Sequence, residues 1–173
     1  MRDWRSVFGG GERTAQQRWG DPALWDDARI ARLLWREIPV ELHARLEAAP
    51  FFFLATSDRN GHCDCSFKGG GPGLVRILDS RTLSFPDFDG NHAFMSLGNI
   101  LDNPQVGLLF IDFDTGGRLR VNGRATIHDK AADGHLFARA QRVVQVQIEQ
   151  VVPNCAAHVP RLIPAAAESK VNP

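Results

Sequence analysis

Apolar residues in the first third of the chain recur at helical spacing. Between residues 26 and 49 they stand three or four positions apart, which places them on one face of an α-helix. These residues are Ile30, Leu33, Leu34, Ile38, Leu42 and Leu46. Asp21-Pro22 is typical of a helix start, with aspartate as the cap and proline in the first turn, and Pro39 divides or kinks the pattern. We predict a helical N-terminal extension over residues 1–50, in which residues 1–20 form an irregular or partly helical arm.

After Pro50 the pattern changes to short apolar or alternating segments separated by turn residues, as expected for β-strands. The first segment ends at Asp58-Arg59-Asn60-Gly61, and Asn-Gly is the strongest short hairpin signal. The predicted strands are residues 51–57, 63–68, 74–78, 83–86, 106–113, 118–128 and 143–152. Helices are predicted at residues 92–101 and 130–139, and a short helix with a tail after residue 153.

Six or seven short strands at hairpin spacing, with few helices between them, indicate a mainly β fold, a six- to seven-stranded antiparallel barrel. The alternating strands and helices of a dinucleotide-binding fold are missing. A chain of 173 residues has the length of one domain with a substantial core. We expect a single domain made of the extension 1–50, the barrel 51–152 and a C-terminal tail 153–173.

Charge and composition narrow the classes of function. Twenty Lys and Arg balance twenty Asp and Glu, which argues against nucleic acid or an anionic membrane as a partner, because such binding draws on basic charge. There is no signal-peptide pattern, and no apolar run approaches the roughly 20 residues of a membrane span. Three cysteines do not form a disulfide framework, so we expect a reducing, cytoplasmic location.

A metal site is not expected. Cys63 and Cys65 leave the same face of a predicted strand and follow His62, which makes a partial ligand set. A structural zinc takes four ligands, commonly from two separated pairs, and Cys155 near His158 has no pair spacing. We interpret the strand cysteines as small buried side chains.

The helix start that follows the fourth predicted strand is the strongest candidate site. It is polar and punctuated by glycine, and unpaired N–H groups at a helix N-terminus attract phosphate. Asn91 and Ser96 lie near this start, and Asn99 follows Ser96 by three residues on the same helical face. Ser66 and Lys68 are two residues apart on one strand, so a hydroxyl and an ammonium leave the same face and suit an anionic group.

Several motifs in order resemble the pyridoxamine 5'-phosphate oxidase-like FMN-binding split-barrel family, in its flavin-nucleotide-binding branch. The similarity runs from about residue 51 to residue 152 and rests on the order and spacing of its parts. These are Ala55-Thr56-Ser57-Asp58-Arg59-Asn60-Gly61, Cys65-Ser66-Phe67-Lys68, Phe85-Pro86-Asp87, the helix 91–101 with its Asn-Pro end, Val106-Gly107-Leu108-Leu109-Phe110 and Leu119-Arg120-Val121-Asn122-Gly123-Arg124-Ala125.

The resemblance implies a homodimer with two FMN molecules at the subunit interface, each held by both chains. It also implies an oxidoreductase in which the flavin carries the redox chemistry and the protein supplies orientation and electrostatics. Phe67 and the Gly69–Gly71 backbone are expected to border the ring, and Lys68 is the expected charge partner near it. The expected cofactor-binding residues are Ser66, Phe67, Lys68, Gly69, Phe85, Pro86, Asp87, Asn91, Ser96, Asn99 and Arg118. No catalytic acid or base stands out.

The chain also departs from the true oxidases of this family. They carry an Arg at the position of Ser66, an Arg-Lys pair at the phosphate helix, and a Tyr for the vitamer phosphate. Here the helix starts with Asn91 and His92, and the chain has no tyrosine. We therefore expect a different activity on a small molecule that the sequence does not identify. The alternatives are a module that binds FMN or haem without turnover, an enzyme using the deazaflavin F420, and a structural protein without cofactor.

Overall fold

The computed structural model describes residues 7–129 and 136–162. By its internal contacts the chain divides into two compact units, Met1–Trp35 and Arg36–Pro173. Residues 36–50, which the hydrophobic pattern groups with the N-terminal helices, therefore belong to the second unit.

The first unit is built from short helical segments. Helix α1 spans Gly10–Trp19, a 3-10 turn spans Pro22–Leu24, and helix α2 spans Asp27–Leu33. The Asp21 carboxylate accepts the N–H of Ala23, as predicted for a cap, but the helix it starts is a single turn. A second aspartate, Asp26, caps α2 by accepting the N–H of Arg29. Two caps five residues apart therefore produce two elements where the pattern predicted one.

The second unit begins with two more helical segments and then becomes a sheet. A 3-10 turn spans Val40–Leu42, with Pro39 at its start, and helix α3 spans His43–Ala48. The predicted division at Pro39 is thus confirmed. Helix α4, Met95–Asp102, is inserted between the fourth and fifth strands. The strands are β1 Phe51–Ser57, β2 Cys63–Gly69, β3 Arg76–Asp79, β4 Thr82–Asp87, β5 Gln105–Ile111, β6 Arg118–Asp129 and β7 Arg142–Asn154.

All seven strands form one antiparallel sheet in the order β2-β1-β5-β6-β7-β4-β3. The prediction of a mainly β, antiparallel fold is confirmed. The long β6–β7 pair contains a bulge, because the register shifts between Asn122 and Gly123. A Cβ at Gly123 would lie 2.2 Å from the carbonyl oxygen of Gln147, so only glycine fits where the two backbones approach.

The core of the second unit lies on the inner side of this sheet. Phe52, on β1, is fully buried and packs edge-on against Phe85 of β4, with ring centroids 5.1 Å apart. The ring of Phe110, on β5, also packs against Phe52, with ring centroids 5.3 Å apart. Alternate residues of β1, including Phe51 and Phe53, face outward and are half-buried. The three consecutive phenylalanines therefore contribute to two faces of the sheet, with Phe52 on the buried face and Phe51 and Phe53 on the half-buried one.

Three predicted helices differ in the structure. Helix α4 begins at Met95 rather than at residue 92, because His92 and Phe94 adopt left-handed backbone conformations that a helix cannot contain. Of the predicted helix 130–139, residues 130–135 lie outside the described part, and residues 136–139 form turns. Likewise, of the predicted helix after residue 153, residues 155–162 form turns and extended segments, and residues 163–173 lie outside the described part.

Candidate binding cleft

A cleft of about 420 Å³ opens where β2, the end of β4, the start of α4 and the start of β7 meet. The loop from residue 88 to residue 94 forms one of its walls. Its lining consists of Asp64, Ser66, Phe67, Lys68, Asp87, Phe88, Asp89, Gly90, Asn91, His92, Ala93, Phe94, Met95, Ser96, Leu97, Gln141 and Arg142. All of these residues belong to the second unit.

Three side chains form a small polar cluster on one side of the cleft. Ser66 and Lys68 project from the same face of β2, and Ser96 projects from the first turn of α4. The hydroxyl oxygens of Ser66 and Ser96 lie 3.0 Å apart, within a hydrogen bond. Lys68 Nζ donates to Ser96 Oγ at 3.3 Å. Ser96 is only 7% exposed, so α4 and β2 hold the ammonium beside two hydroxyls at the cleft wall.

The start of α4 has no side-chain cap. The residue at the N-cap position is Phe94, which has no side-chain acceptor, and within the described part of the chain no side-chain hydrogen bond caps the helix. The first N–H groups of a helix have no intrahelical partner and carry the positive end of the helix dipole. Met95, Ser96 and Leu97 carry these groups, and all three line the cleft. Backbone donors therefore accompany the cation of Lys68 and the two hydroxyls.

Backbone strain accompanies this open helix start. His92 and Phe94 have φ angles of 59° and 52°, in the left-handed region that costs an L-residue about 1–2 kcal/mol. The side chain of Asn91 supports the turn, since its Oδ1 accepts the N–H of Ala93 at 3.0 Å. Asn91 thus shapes the loop that delivers α4, in addition to lining the cleft.

The cleft lining also contains an ion pair. Arg142, the first residue of β7, donates from Nη1 to Asp87 Oδ2 at 2.9 Å, and the two residues face each other across the β4–β7 ladder. The Arg142 guanidinium also lies 5.2 Å from the centroid of the Phe94 ring, in cation–π geometry. Arg142 therefore links the end of β4 to the start of α4, and its charge is balanced by Asp87.

Two further carboxylates line the cleft with little compensation. The side-chain carboxylate of Asp64 makes no hydrogen bond or ion pair to any residue that the structure describes. Asp89 lies 3.5 Å from Nε2 of His92, and both side chains are largely exposed. Asp64 lies on the same face of β2 as Ser66 and Lys68, so the cleft lining carries two carboxylates without a lysine or arginine partner among the described residues, in addition to the donors.

The structure brings six of the eleven predicted site residues together in this cleft. They are Ser66, Phe67, Lys68, Asp87, Asn91 and Ser96. Phe67 also presents its ring to the outer face of the sheet, where it stacks on Phe51 at 5.3 Å. Asp87 acts on Arg142 rather than directly as a donor, because a carboxylate only accepts.

The other five predicted residues lie outside the cleft lining. Phe85 is buried in the core, and Pro86 is buried beside Val143 in the β4–β7 ladder. Gly69 ends β2 beside the Phe67 ring. Of the adjoining backbone expected at the ring, the N–H groups of Gly70 and Gly71 both bond the carbonyl of Pro50.

Asn99 and Arg118 make contacts that stabilise the fold. Asn99 Nδ2 donates to Thr56 Oγ1 at 3.0 Å and so attaches α4 to β1. Arg118 donates from Nη2 to the carbonyl of Cys155 at 2.8 Å, at the β5–β6 hairpin. The side chains of both residues are thus directed to neighbouring groups of the fold.

Sequence reasoning missed several residues that line the cleft. Arg142 begins β7 and Gln141 directly precedes it. No local sequence pattern indicates that these two residues lie near α4. The run Asp87-Phe88-Asp89-Gly90-Asn91 has turn composition directly after a strand, and this was the available signal for a loop at the site. His92, Phe94 and Met95 follow this run and lie within the predicted helix 92–101.

The perturbed carboxyl groups lie away from the cleft. A hydrogen bond from the His62 ring, with backbone N–H groups, lowers the pKa of Asp58 to about 2. The Arg59 guanidinium lowers the pKa of Asp102, and the Thr115 hydroxyl lowers that of Asp112. These groups support turns and the far end of α4.

The cysteines differ from expectation in burial. Cys63, Cys65 and Cys155 are free thiols, and all three are exposed rather than buried, because the β2 residues alternate and the cysteines take its outward face. Within the described residues, no group of three or more His, Cys, Asp or Glu side chains is arranged to hold a metal ion. No helix in the described part of the chain is long and apolar enough to span a membrane.

Comparison with protein families identifies one match. The family model of pyridoxamine 5'-phosphate oxidase matches residues 38–167, well over half of the chain. The matched region contains the whole sheet and every residue that lines the cleft. No curated protein matches the sequence.

Solved structures with a similar fold include three bacterial proteins. Group A Streptococcus HupZ has a TM-score of 0.52 at 19% identity, over 66% of this chain and 92% of that one. An FMN-binding protein from Syntrophomonas wolfei has a TM-score of 0.51 at 11% identity, over 66% and 82%. A Clostridium acetobutylicum protein related to general stress protein 26, of the pyridoxinephosphate oxidase family, has a TM-score of 0.50 at 15% identity, over 71% and 90%. At these low identities the structural similarities establish the fold alone, and the expected split barrel is confirmed.

Proposed function

Because the chain belongs to the pyridoxamine 5'-phosphate oxidase family, we propose that it binds FMN at the cleft between β2 and α4 and works as an oxidoreductase. The observation that carries this proposal is the uncapped start of α4 beside Lys68, Ser66 and Ser96. The solved structure of an FMN-binding protein with the same fold is consistent with it.

The donor side of the cleft fits a phosphate. A dianionic phosphate needs several donors and a compensating charge, and this site offers one ammonium, two hydroxyls and the free N–H groups of a helix start. The same set without a ligand leaves the helix N–H groups uncapped inside a cleft. We therefore assign Lys68, Ser66, Ser96 and the first turn of α4 to the FMN phosphate.

The remaining walls suit a flat ring. Phe94 and Met95 are exposed large apolar side chains at the cleft, and Met95 is 62% exposed. A cleft that combines apolar walls with a few convergent polar groups is typical of cofactor sites. The isoalloxazine ring, when bound, supplies the redox chemistry by accepting and giving up electrons. The protein residues hold and orient it, and Arg142 keeps Phe94 in place through its ring contact.

We further propose that the protein is a homodimer, with a second copy covering the outer face of β1 and β2. Phe53 on this face lies opposite Phe67 of β2 and Leu109 of β5 in the ladder. Phe67 is 62% exposed. A contiguous apolar face on a sheet favours association, and most homo-oligomers bury such a face in a two-fold interface. Since Phe67 also lines the cleft, this interface would place the partner beside the cofactor.

The first experiment is an FMN titration of purified protein, followed by flavin absorbance and fluorescence. We expect saturable binding with one FMN per chain. Lys68→Ala removes a charge-assisted hydrogen bond of about 1.5–3 kcal/mol, so affinity should fall about 10- to 100-fold. Arg124→Ala is the matched control, because Arg124 is an exposed cation on β6 outside the cleft. Protein that does not take up FMN, or equal affinities in both variants, would contradict the proposal.

Dimerisation is tested separately by light scattering over a dilution series. Phe53→Ser should shift the protein toward monomer and weaken FMN binding, because each cofactor would be held by both chains. Leu101→Ser is the control, since Leu101 is the most exposed large apolar side chain of α4 and lies outside this face. Dimerisation that is equally impaired in both variants would rule out this interface.

Haem is the second candidate ligand, and one feature favours it. His92 and Met95 both line the cleft, and imidazole and thioether are common axial ligands of haem iron. Haem titration of wild type and His92→Ala separates the two ligands. The deazaflavin F420, with its longer anionic tail, finds less support, because only Lys68 and Arg142 among the lining residues are cations and Arg142 is paired with Asp87.

Turnover and location complete the proposal. Reduction of bound FMN by NADH or NADPH distinguishes an oxidoreductase from a protein that only stores the cofactor.

We propose a cytoplasmic location from the three free, exposed cysteines, which a reducing compartment preserves. Labelling these thiols in freshly lysed cells tests that point, and prior oxidation in every molecule would contradict it.

A further inference from the structure

The charged side chains that line the cleft do not balance around the proposed cofactor. Lys68 and the helix start supply the donors for the phosphate, and Arg142 is neutralised by Asp87 at 2.9 Å. Asp64 has no partner among the described residues, and Asp89 has only the exposed His92 at 3.5 Å. The carboxylates of Asp64 and Asp89 are therefore the uncompensated charges of the cleft.

FMN binding would sharpen this imbalance. The phosphate occupies the donors of Lys68, Ser66 and the start of α4 in the proposed mode, so no unpaired lysine or arginine remains among the described residues that line the cleft of this chain. The phosphate itself adds negative charge. A second molecule that approaches the flavin therefore meets Asp64, Asp89 and the apolar side chains of Phe94 and Met95. Like charges repel over a Debye length of about 8 Å at physiological ionic strength.

We infer that the redox partner of the bound flavin is a flat organic molecule that is neutral or positively charged and carries no phosphate, carboxylate or sulfonate near its reacting ring. This inference rests on the proposed FMN function and names the class of substrate at the same site. The exposed Phe94 and Met95 provide apolar contact for such a ring, and Asp64 and Asp89 exclude anions. Phosphorylated vitamers fall outside the class.

The test compares a neutral and an anionic acceptor of similar shape, naphthoquinone and its sulfonate. FMN-loaded protein is reduced photochemically and mixed with each quinone by stopped flow. Two electrons and two protons pass from the reduced flavin to the quinone, which leaves as hydroquinone, so oxidation of the flavin reports each rate. The rate with the neutral quinone is divided by the rate with the anionic quinone. This ratio is then divided by the same ratio for free reduced FMN, which corrects for the difference in reduction potential between the two quinones.

We expect this corrected ratio to be about three- to tenfold above one at low ionic strength and to fall toward one as salt is added. The double variant Asp64→Asn with Asp89→Asn should lower it by about the same factor while retaining FMN. Glu149→Gln, which removes an exposed carboxylate on β7 outside the cleft, should leave it unchanged.

Two outcomes would overturn the inference. A corrected ratio at or below one shows that the bound flavin does not discriminate against anions. A ratio that persists in the double variant shows that Asp64 and Asp89 do not cause the discrimination. Both differ from failure of the proposed function, in which the protein does not retain FMN and the stopped-flow experiment has no bound flavin to follow.

Discussion

The two ends of helix α4 differ in their side-chain hydrogen bonds and in the conformation of the backbone beside them. The C-terminal end is closed by side-chain hydrogen bonds to the β1–β2 hairpin. Asn99 donates to Thr56, Asn103 donates to Ser57 at 2.9 Å, and Arg59 pairs with Asp102. The N-terminal end has no cap and follows two left-handed residues. One helix is thus anchored at one end, so that its other end can present unpaired donors to a cleft.

This difference shows how a marginally stable structure can maintain a strained site. Left-handed residues at His92 and Phe94 cost free energy. Buried Leu97 and Ile100 and the polar contacts at the far end hold α4 in place regardless of that strain. We therefore expect changes at the C-terminal end to reduce stability and changes at the N-terminal end to reduce binding.

The largest effect is expected at Asn99. Asn99→Ala leaves the hydroxyl of Thr56, which is 5% exposed, without its partner and should lower the free energy of unfolding by about 1–3 kcal/mol. Urea denaturation measures the loss, and FMN affinity of the folded protein should be unchanged. Replacing both partners, with Thr56→Val and Asn99→Leu, should recover part of the stability. A large drop in FMN affinity would show that the two ends are not independent.

Ser96→Ala is the corresponding change at the open end. It removes the hydroxyl that joins Lys68 to Ser66, so Kd for FMN should rise about tenfold, equivalent to about 1.4 kcal/mol. The free energy of unfolding without FMN should change by less than about 1 kcal/mol, since the start of α4 has no side-chain cap that this variant could remove. Ser96→Thr keeps the hydroxyl and should bind more tightly than Ser96→Ala. A stability loss without an affinity change would contradict the assignment.

Strain at the open end is tested by a pair of variants at His92. His92→Gly and His92→Ala both remove the ring, but only alanine keeps a Cβ at a φ of 59°. Glycine is normally less favourable than alanine by about 0.5–1 kcal/mol, and at a left-handed position the order reverses. Thermal or urea unfolding should therefore find the glycine variant more stable. The opposite order would show that the loop relaxes and stores no strain.

The smallest effect is the acid sensitivity of the closed end. The pKa values of Asp58 and Asp102 are lowered in the folded protein, so these carboxylates stabilise it fully above their ordinary pKa of 3.8. As pH falls from there through the lowered pKa values, which for Asp58 is about 2, these carboxylates become protonated and that stability is lost. The urea midpoint should drop over this window, and less so in Asp58→Asn. Both carboxylates are partly exposed, so salt should reduce the difference.

The strand pattern could be predicted because strands such as β1 and β5 alternate between a more buried and a more exposed face, and β4 is a short apolar run bounded by turn residues. Phe51–Ser57 has the predicted bounds as β1, and the Asn-Gly turn has Gly61 at a φ of 87°, which explains the turn chemistry. The start of α4 could not be predicted to the residue. Helical spacing of apolar residues continues through His92, and only the backbone of the preceding loop shows that this residue is left-handed.

Within the cleft, the sequence by itself determined the short-range part of the site. Ser66 and Lys68 share a face because side chains alternate along a strand, and the phosphate-binding character of the α4 start follows from unpaired N–H groups. The distant partners were decided only by the tertiary structure. Arg142 reaches Asp87 and Phe94 because β7 pairs with β4, which lies 55 positions earlier in the chain. No local pattern specifies that pairing, since strand order depends on the packing of the whole sheet.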